Sequence, residues 1–167
     1  INAGRPPAAG NQPVRSFTGL GGVPREVVWD GLGDSGERVA DGSYFAMLDV
    51  LYEKGNYSVV SGGAFELDTV YPTATVTAPF TLFSPDGDGR KDVLVIQQTS
   101  SDETLWEASI VDAGGEQIRS LFWKGRLTDV EWDGHDENGN VVPDGAYRYE
   151  VRSRDLSGNE AAAVVDG

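Results

Sequence analysis

The chain has 167 residues, of which 22 are glycine and none is cysteine; 39% are hydrophobic, and the formal net charge is −14. The missing thiols exclude disulfides and thiolate metal sites, and the charge repels phosphate backbones, so nucleic acid is not an expected partner. No apolar run approaches the ~18 residues of a membrane span, and the opening residues, with Arg5, Pro6 and Pro7, lack the apolar core of a signal peptide.

In chain order, a lead-in from Gly10 to Phe17 is followed by Trp29-Asp30-Gly31 and then by Asp41-Gly42. Tyr44 opens a predicted strand in which Tyr44, Ala46, Leu48 and Val50 point to a core, leaving Phe45, Met47 and Leu51 outward. After a turn at Gly55-Asn56 comes a last strand of the first half, Ala64 to Val70. Pro72 and Pro79 flank the threonine-rich stretch Thr73 to Thr77, which reads as a linker spanning Tyr71 to Pro79. Beyond it lie the turn Ser84 to Gly89, the apolar run Val93 to Ile96 and the alternating strand Trp106 to Ile110. Two short apolar pieces, Leu121 to Trp123 and Val130 to Trp132, precede a strand with Tyr147, Tyr149 and Val151 on one face and charges on the other. Clusters of Asn, Asp and Gly separate these pieces and leave no room for a long helix, which predicts an all-β, antiparallel fold.

The two halves repeat. From Trp29 to Asn56 and from Trp132 to Asn159, at an offset of 132 − 29 = 103, ten of 28 positions are identical without a gap. Nearly all are turn-formers or large aromatics, which fix a backbone course and carry no chemistry of their own. A period of about 100 residues is the size of one immunoglobulin-like sandwich. The expectation is therefore a tandem of antiparallel immunoglobulin-like, or fibronectin III-like, β-sandwiches: a partial copy over residues 1–75 that lacks its first strands, and a second over 79–167 with its last strand truncated. The lead-in aligns with Gly115 to Leu121, so the counterparts of Phe80 to Trp106 are missing from the first copy, and the chain reads as a window on a longer array. Trp29, Tyr44, Trp106, Trp132, Tyr147 and Tyr149 are expected in the cores, Tyr147 as a tyrosine corner whose phenol bonds back to nearby backbone. Stacking of these rings on sugars is the competing reading.

Metal-like spacing occurs at Asp86-x-Asp88-x-Arg90-x-Asp92. A basic residue at the fifth position, no glycine at the sixth and Gln97 at the twelfth exclude an EF-hand, leaving a looser calcium site on Asp86, Asp88 and Asp92 beside the reading of a self-bonded turn. Asp136-x-Asn138-x-Asn140 has similar spacing, but its counterpart Gly33-x-Ser35-x-Glu37 has lost two of the three ligating types. His135 stands in a polar turn with no nucleophile set beside it, and no glycine-rich stretch opens a helix that would hold a phosphate. An enzyme is not expected. Cofactors are expected to be none, with calcium as the exception.

The run Ile110 to Leu121, then Trp132-Asp133-Gly134, Asp136, Gly139, Val142 to Gly145 and Tyr147, resembles the immunoglobulin-like domain of the bacterial flagellar hook-capping protein family. The resemblance covers residues 107–159 well and 10–56 in degraded form. Phe83-Ser-Pro-Asp-Gly-Asp-Gly89 with Asp92 resembles instead the opening signature of modules at the ends of large bacterial surface and gliding-associated proteins. These resemblances imply a structural or interaction module of a multi-domain protein in the bacterial cell envelope, periplasmic, surface-bound or secreted. The alternatives are a carbohydrate-binding or calcium-stiffened adhesion module and a hook-assembly scaffold. Expected partners are other domains of the same chain or a second protein, including homo-association through Phe45, Met47 and Leu51 of the first copy.

Overall fold

The structure is a computed structural model in which residues 12–166 are described. Among them are nine strands and no helix: β1 (Gly42–Leu51), β2 (Tyr57–Leu67), β3 (Ala74–Thr77), β4 (Leu94–Ser100), β5 (Glu103–Asp112), β6 (Gln117–Gly125), β7 (Val130–Trp132), β8 (Tyr147–Arg154) and β9 (Glu160–Asp166). All pairings are antiparallel. The chain divides into two compact units, with the boundary between Asp68 and Thr69. That boundary differs from the expected 75 and 79, because the threonine-rich stretch is a strand and not a linker. Ala74 and Val76 face inward while Thr75 and Thr77 face solvent, and Thr75 Oγ1 lies 2.6 Å from Thr99 Oγ1 on the neighbouring strand. Alternation with β-branched residues outward is a strand pattern, and the flanking prolines stand just outside it.

The second unit is an immunoglobulin-like sandwich. One sheet has the order β3-β4-β7 and the other β6-β5-β8-β9, and β3 also lies against β9. Between the sheets sit Leu94 and Ile96 of β4, Trp106, Ala108 and Ile110 of β5, Val130 and Trp132 at β7, and Tyr149 and Val151 of β8. Trp106 is fully buried and Trp132 is 2% exposed. Burying aromatics of this size supplies several kcal/mol each, on the order of 25 cal/mol per Å² removed from water. Two buried polar groups are satisfied within the core. Gln98 of β4 accepts from the Tyr149 hydroxyl at 2.9 Å and donates to the Thr128 carbonyl, while Ser153 donates to the Leu105 carbonyl at 2.7 Å. The Tyr149–Gln98 bond ties one sheet to the other, and burial pushes the Tyr149 hydroxyl well above the usual phenol range. Tyr147, expected between the sheets, is half-buried at the start of β8, where its ring meets Trp132 edge-on at 5.1 Å. The last strand, expected to be truncated, pairs with β8 from Arg148 to Arg154.

The described part of the first unit is a β1–β2 ribbon with the Trp29 turn folded against it. Trp29, Tyr44 and Phe65 form an aromatic cluster with centroids 5.1 to 6.4 Å apart. Trp29 and Tyr44 are half-buried, not buried as expected, and Ala46 and Leu48 are exposed despite facing the expected core side. Alternation along β1 is present in sequence, but no second sheet covers it among the described residues. β2 starts at Tyr57, earlier than the expected Ala64, and Gly62-Gly63 lie opposite Ala46 in a bulge.

Candidate functional site

Asp86, Asp88 and Asp92 come together. Each offers a carboxylate oxygen within 4.8 Å of the others, on a loop closed by Ser84 N–H donating to the Lys91 carbonyl at 3.0 Å. The carboxylates are engaged by the loop's own amides. Asp92 accepts from Gly87 and Gly89 at 2.9 and 2.8 Å, Asp86 from Asp88 at 3.1 Å, and Asp88 from Arg90 at 2.7 Å. Asx-type bonding of this kind shapes a turn without a metal. Asp86 and Asp88 are exposed, and the second oxygen of Asp86 accepts from the Ser84 hydroxyl at 3.3 Å.

The duplicated residues make duplicated hydrogen bonds. Trp29 Nε1 donates to the Leu32 carbonyl at 2.8 Å, and Trp132 Nε1 to the His135 carbonyl at 3.0 Å. Asp30 and Asp133 each accept the amide two residues on, at 3.1 and 3.2 Å. Tyr44 donates to the Ala40 carbonyl at 2.5 Å and Tyr147 to the Pro143 carbonyl at 2.6 Å, a tyrosine corner in both copies. The lead-in matches as well: Val14 and Ile118 carbonyls accept from Asp34 and Glu137 amides, and Ser16 and Ser120 amides donate to the side chains of the same two acids. Asp136 is a turn former, its Oδ1 accepting the Asn138 and Asn140 amides, both at 2.8 Å. These bonds, first the Asn140 amide, hold its carboxyl below the usual range. His135 Nδ1 lies 3.0 Å from the Asp133 carbonyl and 3.3 Å from its carboxylate. At Asp133, desolvation is outweighed by the His135 amide and charge and by Arg119, so its carboxyl is also depressed.

Phe45, Met47 and Leu51 are 51%, 50% and 62% exposed on one face of the ribbon. Their counterparts on β8, Arg148, Glu150 and Arg154, are in ion pairs along the outer sheet, including Arg148–Asp166 at 2.7 Å and Arg154–Glu160 at 3.6 Å. The first copy thus carries apolar side chains where the second carries a solvated charge ladder. Sequence reasoning did not single out Gln98, the polar residue joining the two sheets. Its signal was a lone polar residue at an inward position of an apolar strand, after Leu94 and Ile96.

Residues 77–165 match the family described as CHU_C Type IX secretion signal domain, a stretch that begins at the end of β3 and ends within β9. The chain belongs to that family. A type IX secretion signal domain marks a secreted or cell-surface protein of a bacterium. The match is to this family and not to the hook-capping domain that the run Ile110 to Tyr147 resembles. Beyond the family, C5a peptidase of Streptococcus pyogenes serotype M3 (strain ATCC BAA-595 / MGAS315) is 26% identical over 97 residues, 47% of this chain and 8% of that protein. The same figures hold for the C5a peptidases of serotype M18 (strain MGAS8232) and serotype M1. The matched part of the chain therefore spans a small share of these relatives' length.

Proposed function

We propose that this chain is a non-catalytic module of a multi-domain bacterial protein, in which the second unit is recognised by the type IX export machinery as a folded sandwich and the first serves as spacer and protein-contact surface. The observation behind this reading is that the family match covers most of one sandwich, from the end of β3 into β9, and not a short linear tag. The side chains that looked chemical in sequence support it, because their hydrogen bonds hold turns. Sugar stacking is disfavoured by the burial of Trp106 and Trp132. The test is a reporter fused to the full chain, and in parallel to residues 69–167, in a bacterium with a type IX system. Both fusions should be found outside the cell, and a Trp132→Ala fusion should be retained. Equal export of the Trp132→Ala fusion, shown unfolded by protease sensitivity, would mean that a linear segment is read instead.

A calcium-stiffened turn is the second reading, favoured by the three carboxylate oxygens within 4.8 Å of one another. Binding there would brace the entry to β4. Calorimetric titration of calcium into the full chain, with Asp88→Asn as control, decides it.

A further inference from the structure

β6 is the outer strand of the four-stranded sheet, bonded to β5 along one edge. A strand in that position carries main-chain groups on its other edge that template pairing with a further strand. Here that edge is interrupted. The Ile118 carbonyl accepts the Glu137 amide at 3.3 Å, and the Ser120 amide donates to Glu137 Oε1 at 2.7 Å. Ile118 and Ser120 are two residues apart, so both groups lie on the edge away from β5. A residue of a parallel neighbouring strand would bond in the same way, giving its amide to one carbonyl and accepting the amide two residues on. Glu137 imitates such a residue, with a carboxylate where the neighbour would have its carbonyl.

The first unit repeats the device with a different acid. The Val14 carbonyl accepts the Asp34 amide at 3.0 Å, and the Ser16 amide donates to Asp34 Oδ1 at 2.9 Å. Asp34 and Glu137 are separated by the repeat offset, 137 − 34 = 103. Between the copies the acid changes length and the turn changes from Asp-Ser-Gly-Glu to Glu-Asn-Gly-Asn, yet both bonds persist. The turns themselves close on other bonds, Gly33 with Glu37 and Asp136 with Asn140, so closing the turn does not account for the acid.

With Glu137 in place, the open part of β6 shrinks to Leu121–Gly125, and Gly125, at φ 83°, ends it. Without it, the free edge would run from Ile118 through Phe122, whose side chain is 63% exposed. Two copies of β6 paired antiparallel about Leu121 would set Ser120 against Phe122, Ile118 against Lys124 and Arg119 against Trp123. No like charges meet in that register, so the strand's own side chains do not oppose it.

We propose that the Glu137 carboxylate is an edge plug, which keeps β6 from pairing with β6 of a second copy of the chain. The role is independent of the export reading, since it concerns association of the finished fold.

The test compares the full chain with its Glu137→Ala and Glu137→Asp variants by light scattering and hydrogen exchange. In the unsubstituted chain the Ser120 amide should exchange about tenfold more slowly than the Phe122 amide on the same edge. Glu137→Ala should raise the mass about twofold over the unsubstituted chain at about 1 mM, and slow the Phe122 and Lys124 amides about tenfold. Glu137→Asp, which keeps a carboxylate as the first unit does, should return both readings to those of the unsubstituted chain. Three results overturn the proposal: a Glu137→Ala chain with unchanged mass, a larger assembly whose β6 amides exchange at the unsubstituted rate, or a Ser120 amide that exchanges as fast as that of Phe122 before any substitution. Glu137→Ser gives the same readings should the alanine variant fail to fold.

Discussion

The same residue does different energetic work in the two copies. Trp132 is 2% exposed and touches Phe83 and Tyr147, whereas Trp29 is half-buried against Tyr44 and Phe65. Trp132→Ala should cost about 3–5 kcal/mol in urea unfolding, and Trp29→Ala distinctly less, because part of its ring is already in water. A loss below about 1 kcal/mol for Trp132 would put the ring on the surface. Gly134 and Gly31 form a second such pair, with φ of 73° and 76°. A Cβ on Gly134 would stand 2.8 Å from Pro85 Cγ, but one on Gly31 would meet nothing nearer than 3.6 Å. Both alanine variants carry the backbone strain of about 1 kcal/mol, and Gly134→Ala should lose about 1–3 kcal/mol more by denaturant unfolding. The roles of Trp132 and Tyr147 were legible in sequence because duplication exposes the residues that a backbone course requires. Exposure of Ala46 and Leu48 was not, since burial depends on a facing sheet that alternation along one strand cannot report.

At the scale of elements, one turn recurs five times among the described residues: Gly33–Glu37, Tyr52–Asn56, Asp112–Glu116, Asp136–Asn140 and Asp155–Asn159. In each, the first amide donates to the fifth carbonyl and the fourth amide to the first carbonyl, and the fourth residue is a glycine with φ between 78° and 92°. This is a type I turn closed by a left-handed residue, which joins strands without disturbing their register. The three turns of the second unit begin with aspartate, whose carboxylate accepts the third and fifth amides. Asp136 is held below its ordinary value of 3.8 by these amides, and Asp155 is depressed too, partial desolvation being outweighed by Asn159 and the turn amides. A depressed folded value means that the unfolded chain takes up the proton first. The stability these groups contribute is present above pH 3.8 and is lost as pH falls through the lower folded values. Thermal unfolding followed from about pH 6 to pH 2.5 should show this fall, and Asp136→Asn with Asp155→Asn should flatten it. The turns were legible from their Asp and Gly spacing, but β3 was not, because two flanking prolines disguised a four-residue edge strand as a linker.

For the whole molecule, the buried hydrophobic core residues among those described all belong to the second unit, so the two units should unfold separately. Urea unfolding followed by far-ultraviolet circular dichroism and by exchange at β1 and β8 should give an early transition for the ribbon and a later cooperative one for the sandwich. A single coincident transition would show that the units stabilise one another. The cross-sheet bond from Tyr149 to Gln98 has a further consequence, in time. Its partners are 51 residues apart, and the Ser153–Leu105 bond spans 48. Hairpins such as β8–β9 close in about 1–10 μs, but contacts of this separation wait on loop closure and place such sandwiches in the millisecond-to-second range. For some interval after synthesis the sandwich domain therefore has its turns but no dry interior, and Tyr149→Phe should leave that interval nearly unchanged while shortening the lifetime of the finished fold.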